Sequence, residues 1–312
     1  MLFCLCDIDM NPIVLTISTG RCGTTFLDRT FKSNFSNKKN WISHEYLRQN
    51  ITNVGLYHRC YSSELQDEMA NKEIKELIEN WTEVSRTGPV VDFGWTMRSL
   101  VPYLYNEIGT QLKVLYIHRH PIAVAASFKL IGSYSIYNSP EWTITPSHPR
   151  ALYPEFEKRW SAMTAFEKCL YLWLEVNAYA LEIKEKYPKI EFLEVKSEAL
   201  FTSNAALEDI ARFTEFYKEG QDIKPSIDKN ARDQFSLERR PIKNEWLNYE
   251  RHPEVISFAK ELGYNMDKNE IAKFIHKYQL PKGMLPFIRN KSGYWQHKEN
   301  LGKLLRRLGL RK

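Results

Sequence analysis

The chain has 312 residues, of which 43% are hydrophobic, 13% are aromatic and 26% are charged, and its formal net charge is +6. This composition supports a sizeable core and excludes disordered and fibrous proteins. The modest positive charge favours anionic ligands such as nucleotides, sulfated glycans or an acidic membrane surface, although it serves solubility equally well.

The cysteines are odd in number and form no C-x-x-C pair, which argues against a disulfide framework or a zinc site and fits a reducing compartment. Residues 1–10 contain two Asp and no Lys or Arg, so we expect no secretory signal. The chain contains no apolar run long enough to span a membrane. Together these features lead us to expect a cytoplasmic protein.

Strands and helices alternate along the predicted elements. A β-branched strand at 13–17 precedes a loop at 18–23 and a helix over 24–35; later strands are predicted near 89–94, 113–118 and 189–194, and helices within 63–86, 97–108 and 165–187. This alternation predicts an α/β protein with a parallel sheet flanked by helices, whose ligands bind at the carboxyl ends of the strands. We expect a single domain over residues 1–312, with a core of about 12–265 and a helical C-terminal extension of about 266–312.

The loop between the first strand and the first helix has the residues of a phosphate cradle. Gly20 and Gly23 allow backbone N–H groups to approach an anion, and the helix N-terminus adds partial positive charge. Arg21 adds a full charge, while Thr24 and Thr25 add hydroxyl donors. Only two residues separate the glycines and no Lys follows, so this is not a Walker A loop. An ordinary turn that happens to contain glycine is the alternative interpretation.

A second loop follows the strand at 113–118. Arg119 ends that strand, and Pro121 stands at the predicted first position of the next helix, where its missing N–H costs nothing. Ser127 lies eight residues after Arg119. An arginine and a serine in this arrangement can hold one phosphate from two sides.

Together, these loops resemble those of the sulfotransferases that use 3′-phosphoadenosine 5′-phosphosulfate (PAPS), in their bacterial and Golgi branches. Residues 19–25, T-G-R-C-G-T-T, resemble the 5′-phosphosulfate loop of that family, and residues 116–127 resemble its 3′-phosphate motif. The resemblance covers roughly residues 12–265. It implies a P-loop-like nucleotide-binding fold, PAPS as donor, 3′,5′-diphosphoadenosine as product and no metal ion.

The resemblance also implies a set of nucleotide-binding residues. A late basic loop containing Arg239 and Arg240 resembles the segment that closes over the 3′-phosphate in the family, and Arg289 with Lys291 is a competing candidate. The implied nucleotide-binding residues are therefore Gly20, Arg21, Cys22, Gly23, Thr24, Thr25, Arg119, Ser127, Arg239 and Arg240.

The chain departs from the family pattern at two informative positions. Cys22 replaces the usual Ser, and a thiol is a weaker hydrogen-bond donor. The strand near 89–94 contains Asp92 but lacks the Lys that the family carries there. The positive charge expected near the bridging oxygen of the donor must then come from elsewhere.

The resemblance also indicates catalytic residues. Arg21 would hold the 5′-phosphate and the bridging oxygen. Residues 43–46, S-H-E-Y, resemble the glutamate-bearing segment that supplies the base in the tyrosylprotein branch, so Glu45 is the first candidate for the base. Asp92 is the second candidate, and His44 and His58 are weaker ones. A surface or capping role for Glu45 is the open alternative.

The function predicted from these motifs is transfer of a sulfuryl group from PAPS to a hydroxyl or amine of an unidentified glycan, small molecule, lipid or peptide. A P-loop kinase-like phosphotransferase and a non-catalytic nucleotide-binding module are the alternatives. The basic, amphipathic residues 301–308 suggest weak contact with a membrane surface, although a docked terminal helix has the same pattern. We expect no nucleic-acid partner.

Overall fold

The computed structural model describes residues 10–46, 68–134, 144–226 and 244–275. The strands within these ranges are β1 (Ile13–Ile17), β2 (Trp41–Ser43), β3 (Val90–Asp92), β4 (Leu112–His118) and β5 (Glu191–Lys196). The α-helices are α1 (Thr24–Phe35), α2 (Glu68–Ser85), α3 (Val101–Ile108), α4 (Pro121–Leu130), α5 (Glu157–Trp160), α6 (Ala165–Lys186), α7 (Ala205–Phe213), α8 (Pro253–Glu261) and α9 (Lys268–Ile275).

The five described strands form one sheet in the order β2-β3-β1-β4-β5, and every neighbouring pair is parallel. β1 is central and buried at all five positions, so both faces of the sheet are covered there. Parallel pairing requires a crossover between strands, and helices provide those crossovers here. The prediction of an α/β fold with a parallel sheet flanked by helices is confirmed.

The chain separates into two compact units. The first contains residues up to 119, residues 144–157 and residues 175–227, and the second contains residues 120–143, 158–174 and those from 228 onward. The whole sheet belongs to the first unit. The expectation of a single domain over 1–312 stays a prediction.

The main apolar cluster of the first unit lies on one face of the sheet. Alternate residues of β1, Ile13, Leu15 and Ile17, point into this cluster because successive side chains of a strand face opposite ways. Trp81 of α2 and Leu104 of α3 also belong to this cluster. On α1, the Phe31 ring meets Phe93 and Phe216 at centroid distances of 4.9 and 5.8 Å.

The second unit is helical in its described part and is held together by rings and ion pairs. The His120 ring packs edge-on against Tyr264 and Phe274. Buried Glu167 accepts a hydrogen bond of 3.1 Å from His252, which is also buried. These pairs join segments far apart in the sequence, so α4, residues 165–174 of α6, α8 and α9 belong to one unit.

Several elements differ from the sequence-based expectation. The helix predicted near 97–108 is an α-helix only from Val101, because residues 95–100 form a 3-10 helix, and β3 spans Val90–Asp92 rather than 89–94. β5 starts at Glu191 rather than 189 because Ile190 N–H bonds to Tyr187 O, so a turn separates the end of α6 from the strand. The three-residue strand β2 was not predicted, since so short a segment shows no periodicity. β2 matters for the site because it carries residues 44–46 to the carboxyl edge of the sheet.

Candidate functional site

The candidate site lies at the carboxyl edge of the sheet in the first unit. The strands are parallel, so the residues that follow them emerge on the same side. Ser18 follows β1, His44 follows β2, Phe93 follows β3 and Arg119 follows β4. The loop at residues 18–25, called the glycine loop below, and most of the catalytic candidates expected from the sequence therefore lie at this edge.

The loop at residues 18–25 turns sharply before α1 begins. Gly20 and Gly23 have φ values of 80° and 91°, in the left-handed region that glycine adopts without strain, and Arg21 has a φ of 60° although it is not glycine. The Gly20 N–H donates to Ser18 Oγ at 3.0 Å, and the Thr19 hydroxyl donates to Gly20 O at 2.8 Å. The loop is therefore curved and internally bonded.

The loop ends at the N-terminus of α1, where the first turn contains no acidic residue. Gly23 is the N-cap and makes no side-chain capping bond. The first backbone N–H groups of a helix have no carbonyl partner within it, and they carry partial positive charge. This end of α1 has the charge and donors that an anionic group requires.

Cys22 is a structural thiol within the loop. Its side chain is fully buried, and its Sγ donates to Gly20 O at 3.3 Å, with Thr19 Oγ1 also 3.3 Å away. Burial raises the pKa of the Cys22 thiol to about 11. The thiol is therefore neutral near pH 7 and adds no negative charge to the loop.

Arg119 joins the strand β4 to the glycine loop. Its Nη1 donates to Arg21 O at 2.9 Å, so the guanidinium lies at the rim of the loop. The structure thus brings together the two arginines that the sequence analysis assigned to separate loops. Ser127 lies on α4 in the second unit and is 8% exposed, and its proposed partnership with Arg119 stays a prediction.

Four other predicted positions lie outside the described residues. They are the late basic loop with Arg239 and Arg240, the competing pair Arg289 and Lys291, the histidine candidate His58 and the basic segment at 301–308.

His44 connects the end of β2 to the start of α1. Its Nε2 lies 3.1 Å from Thr24 Oγ1 and 3.4 Å from Thr25 Oγ1. The same nitrogen is 3.9 Å from Glu45 Oε1. Sequence reasoning ranked His44 low, yet it touches both threonine hydroxyls of the loop.

Glu45 lies beside His44 in an unusual backbone conformation. Its φ is 54°, although it is not glycine, and the residue is 9% exposed. Its Oε1 accepts a hydrogen bond of 2.6 Å from Trp95 Nε1. The carboxylate is thereby held beside His44, which contacts the glycine loop.

Asp92, the second candidate for the base, is fully buried at the end of β3. Its Oδ1 accepts from Gly94 N–H at 2.6 Å, and its Oδ2 accepts from Ser43 Oγ at 2.8 Å and from Tyr46 N–H at 3.1 Å. Burial raises the pKa of Asp92 above its usual range, against the lowering effect of these hydrogen bonds. Both oxygens are therefore directed at the protein itself.

Trp95 and Arg98 belong to this site but were absent from the sequence-based candidates. Arg98 is 2% exposed, its Nη1 donates to Trp95 O at 3.0 Å, and its guanidinium carbon lies 4.8 Å from the centre of the Trp95 ring. One signal existed in the sequence: Arg98 is a charged residue within the otherwise uncharged 95–104. It is a cation just beyond β3, where the expected lysine is missing.

The described residues show two further negative findings. They contain no group of three or more His, Cys, Asp or Glu side chains that could hold a metal ion. Within the same described ranges, no helix combines the length and the apolar character needed to cross a membrane.

No protein-family model matches the chain, and no curated protein matches it significantly. Among solved structures, it is similar to a sulfotransferase from Alicyclobacillus acidocaldarius, with 12% identity, a TM-score of 0.44 and coverage of 82% of this chain and 97% of that one.

Two sulfotransferase domains of larger proteins are similar to the chain as well. The domain from the Synechococcus PCC 7002 olefin synthase has 16% identity and a TM-score of 0.43, with 83% of this chain and 96% of that one covered. The domain from the curacin biosynthetic pathway has 15% identity and a TM-score of 0.46, with 83% and 99% covered. Over most of its length, the chain is thus similar to solved sulfotransferases, the family that its two loops resemble.

Proposed function

We propose that the protein is a sulfotransferase that moves a sulfuryl group from PAPS to a hydroxyl or amine of an acceptor. One observation carries this proposal: the carboxyl edge of the sheet combines an anion-binding loop without a Walker lysine, an arginine bonded to that loop, and a carboxylate beside it. These are the parts that transfer of an anionic group between two oxygens requires.

The loop at residues 18–25 fits the 5′-phosphosulfate of the donor. Its backbone N–H groups, the Thr24 and Thr25 hydroxyls and the Arg21 guanidinium would bind the phosphate and the bridging oxygen. Negative charge develops on that oxygen as the bond to sulfur breaks, so donors placed there stabilise the transition state more than the ground state. Arg119, at the rim of the loop, would bind the 3′-phosphate.

Glu45 is the proposed base. As the acceptor approaches sulfur, its O–H bond breaks and the proton passes to the Glu45 carboxylate. An oxygen–sulfur bond forms while the bond from sulfur to the bridging oxygen breaks, and 3′,5′-diphosphoadenosine leaves with that electron pair. His44, 3.1 Å from Thr24 Oγ1, would orient the loop hydroxyls toward the transferring group.

Two alternatives make different predictions about nucleotides. A P-loop kinase would bind ATP with Mg²⁺, but the loop lacks the lysine of a Walker A motif. A non-catalytic module would bind 3′,5′-diphosphoadenosine without transferring sulfate. The absence of a lysine on β3 is the feature that favours the second alternative.

Thermal unfolding with added nucleotides separates these possibilities. In EDTA, 3′,5′-diphosphoadenosine should stabilise the protein by about 2.7 kcal/mol at a concentration a hundredfold above its Kd. AMP is the matched control, because it lacks the 3′-phosphate and should stabilise less. Equal stabilisation by AMP contradicts the assignment of a 3′-phosphate site, and selective stabilisation by ATP with Mg²⁺ favours the kinase.

A transfer screen then tests the activity itself. Labelled PAPS would be incubated with glycans, phenols, lipids and peptides, and the products would be identified by mass. Transfer by the natural protein that is lost in Arg21→Ala supports the proposal. Nucleotide binding without transfer to any acceptor class favours the binding module.

A further inference from the structure

The segment that carries Glu45 is held in a strained conformation by its neighbours. A φ of 54° is disfavoured for a residue with a side chain, and such strain persists only where the surroundings impose it. Three residues of the following strand and turn, Asp92, Gly94 and Trp95, contact this segment. Each of them constrains a different part of it.

Asp92 contacts the chain on both sides of Glu45, through a side chain before it and a backbone N–H after it. Its Oδ2 accepts from Ser43 Oγ, two residues before Glu45, and from Tyr46 N–H, one residue after it. Its Oδ1 accepts from Gly94 N–H, which ties the next turn to the same carboxylate. A buried carboxylate with three donors holds two chain segments in one geometry.

Gly94 allows the two segments to touch. A Cβ at position 94 would lie 2.2 Å from Glu45 N and 2.4 Å from Glu45 Cα. These are backbone atoms, which cannot move aside as a flexible side chain could. Position 94 therefore excludes every side chain as long as the Glu45 segment keeps its place.

Trp95 fixes the side chain of Glu45. The indole Nε1–H donates to Glu45 Oε1 at 2.6 Å, and Glu45 Oε1 in turn lies 3.9 Å from His44 Nε2. The Trp95 side chain is itself held in place, because the Arg98 guanidinium stacks on the indole ring and donates to the backbone carbonyl of Trp95. The backbone of Arg98 is anchored by the Tyr179 hydroxyl at 3.1 Å.

We propose that Asp92 and Trp95 are positioning residues, which hold the Glu45 carboxylate beside His44, the residue that contacts the threonine hydroxyls of the glycine loop. Asp92 acts on the backbone of Glu45 and Trp95 acts on its carboxylate. The inference rests on the proposed function, with Glu45 as the group that takes the proton. It also assigns Asp92 a role other than that of an alternative base, because its buried oxygens face Ser43, Tyr46 and Gly94 rather than an acceptor.

Trp95→Phe tests the side-chain contact. Phenylalanine keeps an aromatic ring next to Arg98 but removes the indole N–H, so the Glu45 carboxylate loses its donor. We expect kcat for PAPS-dependent transfer to fall about tenfold to a hundredfold, since small misplacements of a catalytic group cost that much. The Kd for 3′,5′-diphosphoadenosine should stay unchanged.

Trp81→Phe is the matched control. Trp81 is fully buried in α2, and its Nε1 has no hydrogen-bond partner among the described residues. This variant should lower the melting temperature by leaving a cavity, without changing kcat. If Trp95→Phe also keeps kcat within about twofold, or if it weakens nucleotide binding in proportion, the positioning role is wrong.

An NMR readout tests the contact without any acceptor or donor. The indole Nε1–H signal of Trp95, assigned by its loss in Trp95→Phe, should move in Glu45→Gln, because the charged acceptor becomes neutral. It should move in Asp92→Asn as well, because the Glu45 segment is released. An unmoved signal in Glu45→Gln overturns the proposal even where the protein binds nucleotide and transfers sulfate.

Asp92→Asn also separates positioning from base chemistry. A base at position 92 predicts lost turnover with an unmoved Trp95 signal, whereas positioning predicts that both change. If Asp92→Asn does not fold, Ser43→Ala removes one donor to the same carboxylate and should shift the Trp95 signal less. The NMR test does not require nucleotide binding. If the natural protein fails to bind 3′,5′-diphosphoadenosine but the Trp95 signal still moves in Glu45→Gln, the proposed function fails while the contact between Trp95 and Glu45 is confirmed.

Discussion

The carboxyl edge of the sheet contains two regions with opposite construction. The glycine loop at residues 18–25 has no acidic side chain and is shaped by left-handed backbone at Gly20, Arg21 and Gly23. The acidic turn, which comprises residues 43–46 and 92–95, is built on two carboxylates that accept hydrogen bonds from side chains and backbone. The glycine loop thus offers hydrogen-bond donors, and the acidic turn offers hydrogen-bond acceptors.

This difference predicts that the two regions have separate functions in the site. Backbone donors and arginines attract an anion, so changes in the glycine loop should alter nucleotide binding. Carboxylates repel an anion, so the acidic turn should act on the acceptor and its proton instead. Variants in the two regions should therefore separate binding from turnover.

The largest effect is expected from Arg21→Ala. Loss of a guanidinium at the transferring group should lower transfer by about 10³–10⁵-fold, as arginines at comparable phosphoryl-transfer sites do. Nucleotide affinity should fall too, for AMP and 3′,5′-diphosphoadenosine alike, measured by calorimetry. Arg21→Lys keeps the charge and should recover part of both. If Arg21→Ala transfers sulfate as fast as the natural protein, the glycine loop takes no part in the reaction.

Glu45→Gln should give the complementary result. Glutamine keeps the size and can still accept from Trp95, but it lacks the basic oxygen. We expect kcat to fall at least about a hundredfold, the lower end for a lost general base. Diphosphoadenosine affinity and melting temperature should barely change. If Glu45→Gln keeps normal turnover and His44→Gln loses it, the base is His44.

Arg119→Ala should produce an intermediate effect confined to binding. Losing a charged hydrogen bond to phosphate costs about 1.5–3 kcal/mol, which is roughly a 10–150-fold weaker Kd for 3′,5′-diphosphoadenosine. AMP should lose less, through the broken contact to Arg21 O alone. Ser127→Ala should spare AMP in the same way. Equal losses for both nucleotides would contradict a 3′-phosphate role for Arg119.

Cys22→Ser should have the smallest effect. A serine hydroxyl can donate to Gly20 O as the thiol does, and the thiol is neutral because burial raises its pKa to about 11. Nucleotide affinity should stay within about threefold of the natural protein. A larger loss would mean that the side chain at position 22, rather than the backbone, shapes the loop.

The glycine loop could be predicted from the sequence because its construction is local. Strand β1, the loop and helix α1 are consecutive, so β-branched residues, two glycines and a helix start identify the motif within about 25 residues. The predicted bounds of β1 and α1 are those observed. Pro121 at the start of α4 is confirmed for the same reason.

The acidic turn could be predicted only in part because its contacts are distant in sequence. Glu45 and Asp92 were candidates, but their ranking had no geometric basis. Trp95 meets Glu45 across 50 residues, and Ser43 meets Asp92 across 49. No pattern within either segment shows that the short strand β2 pairs with β3, and this pairing brings the two segments together.

The sequence by itself determined the fold class and the glycine loop of this protein, since periodicity and local backbone preference act over a few residues. The tertiary structure alone decided which side chains face that loop. Parallel pairing of β2 with β3 directs Asp92 into the protein and Glu45 toward His44, and Gly94 is required because two backbones touch there. The sheet around Asp92 makes it the more deeply buried of the two carboxylates, because desolvation depends on neighbours rather than on residue type.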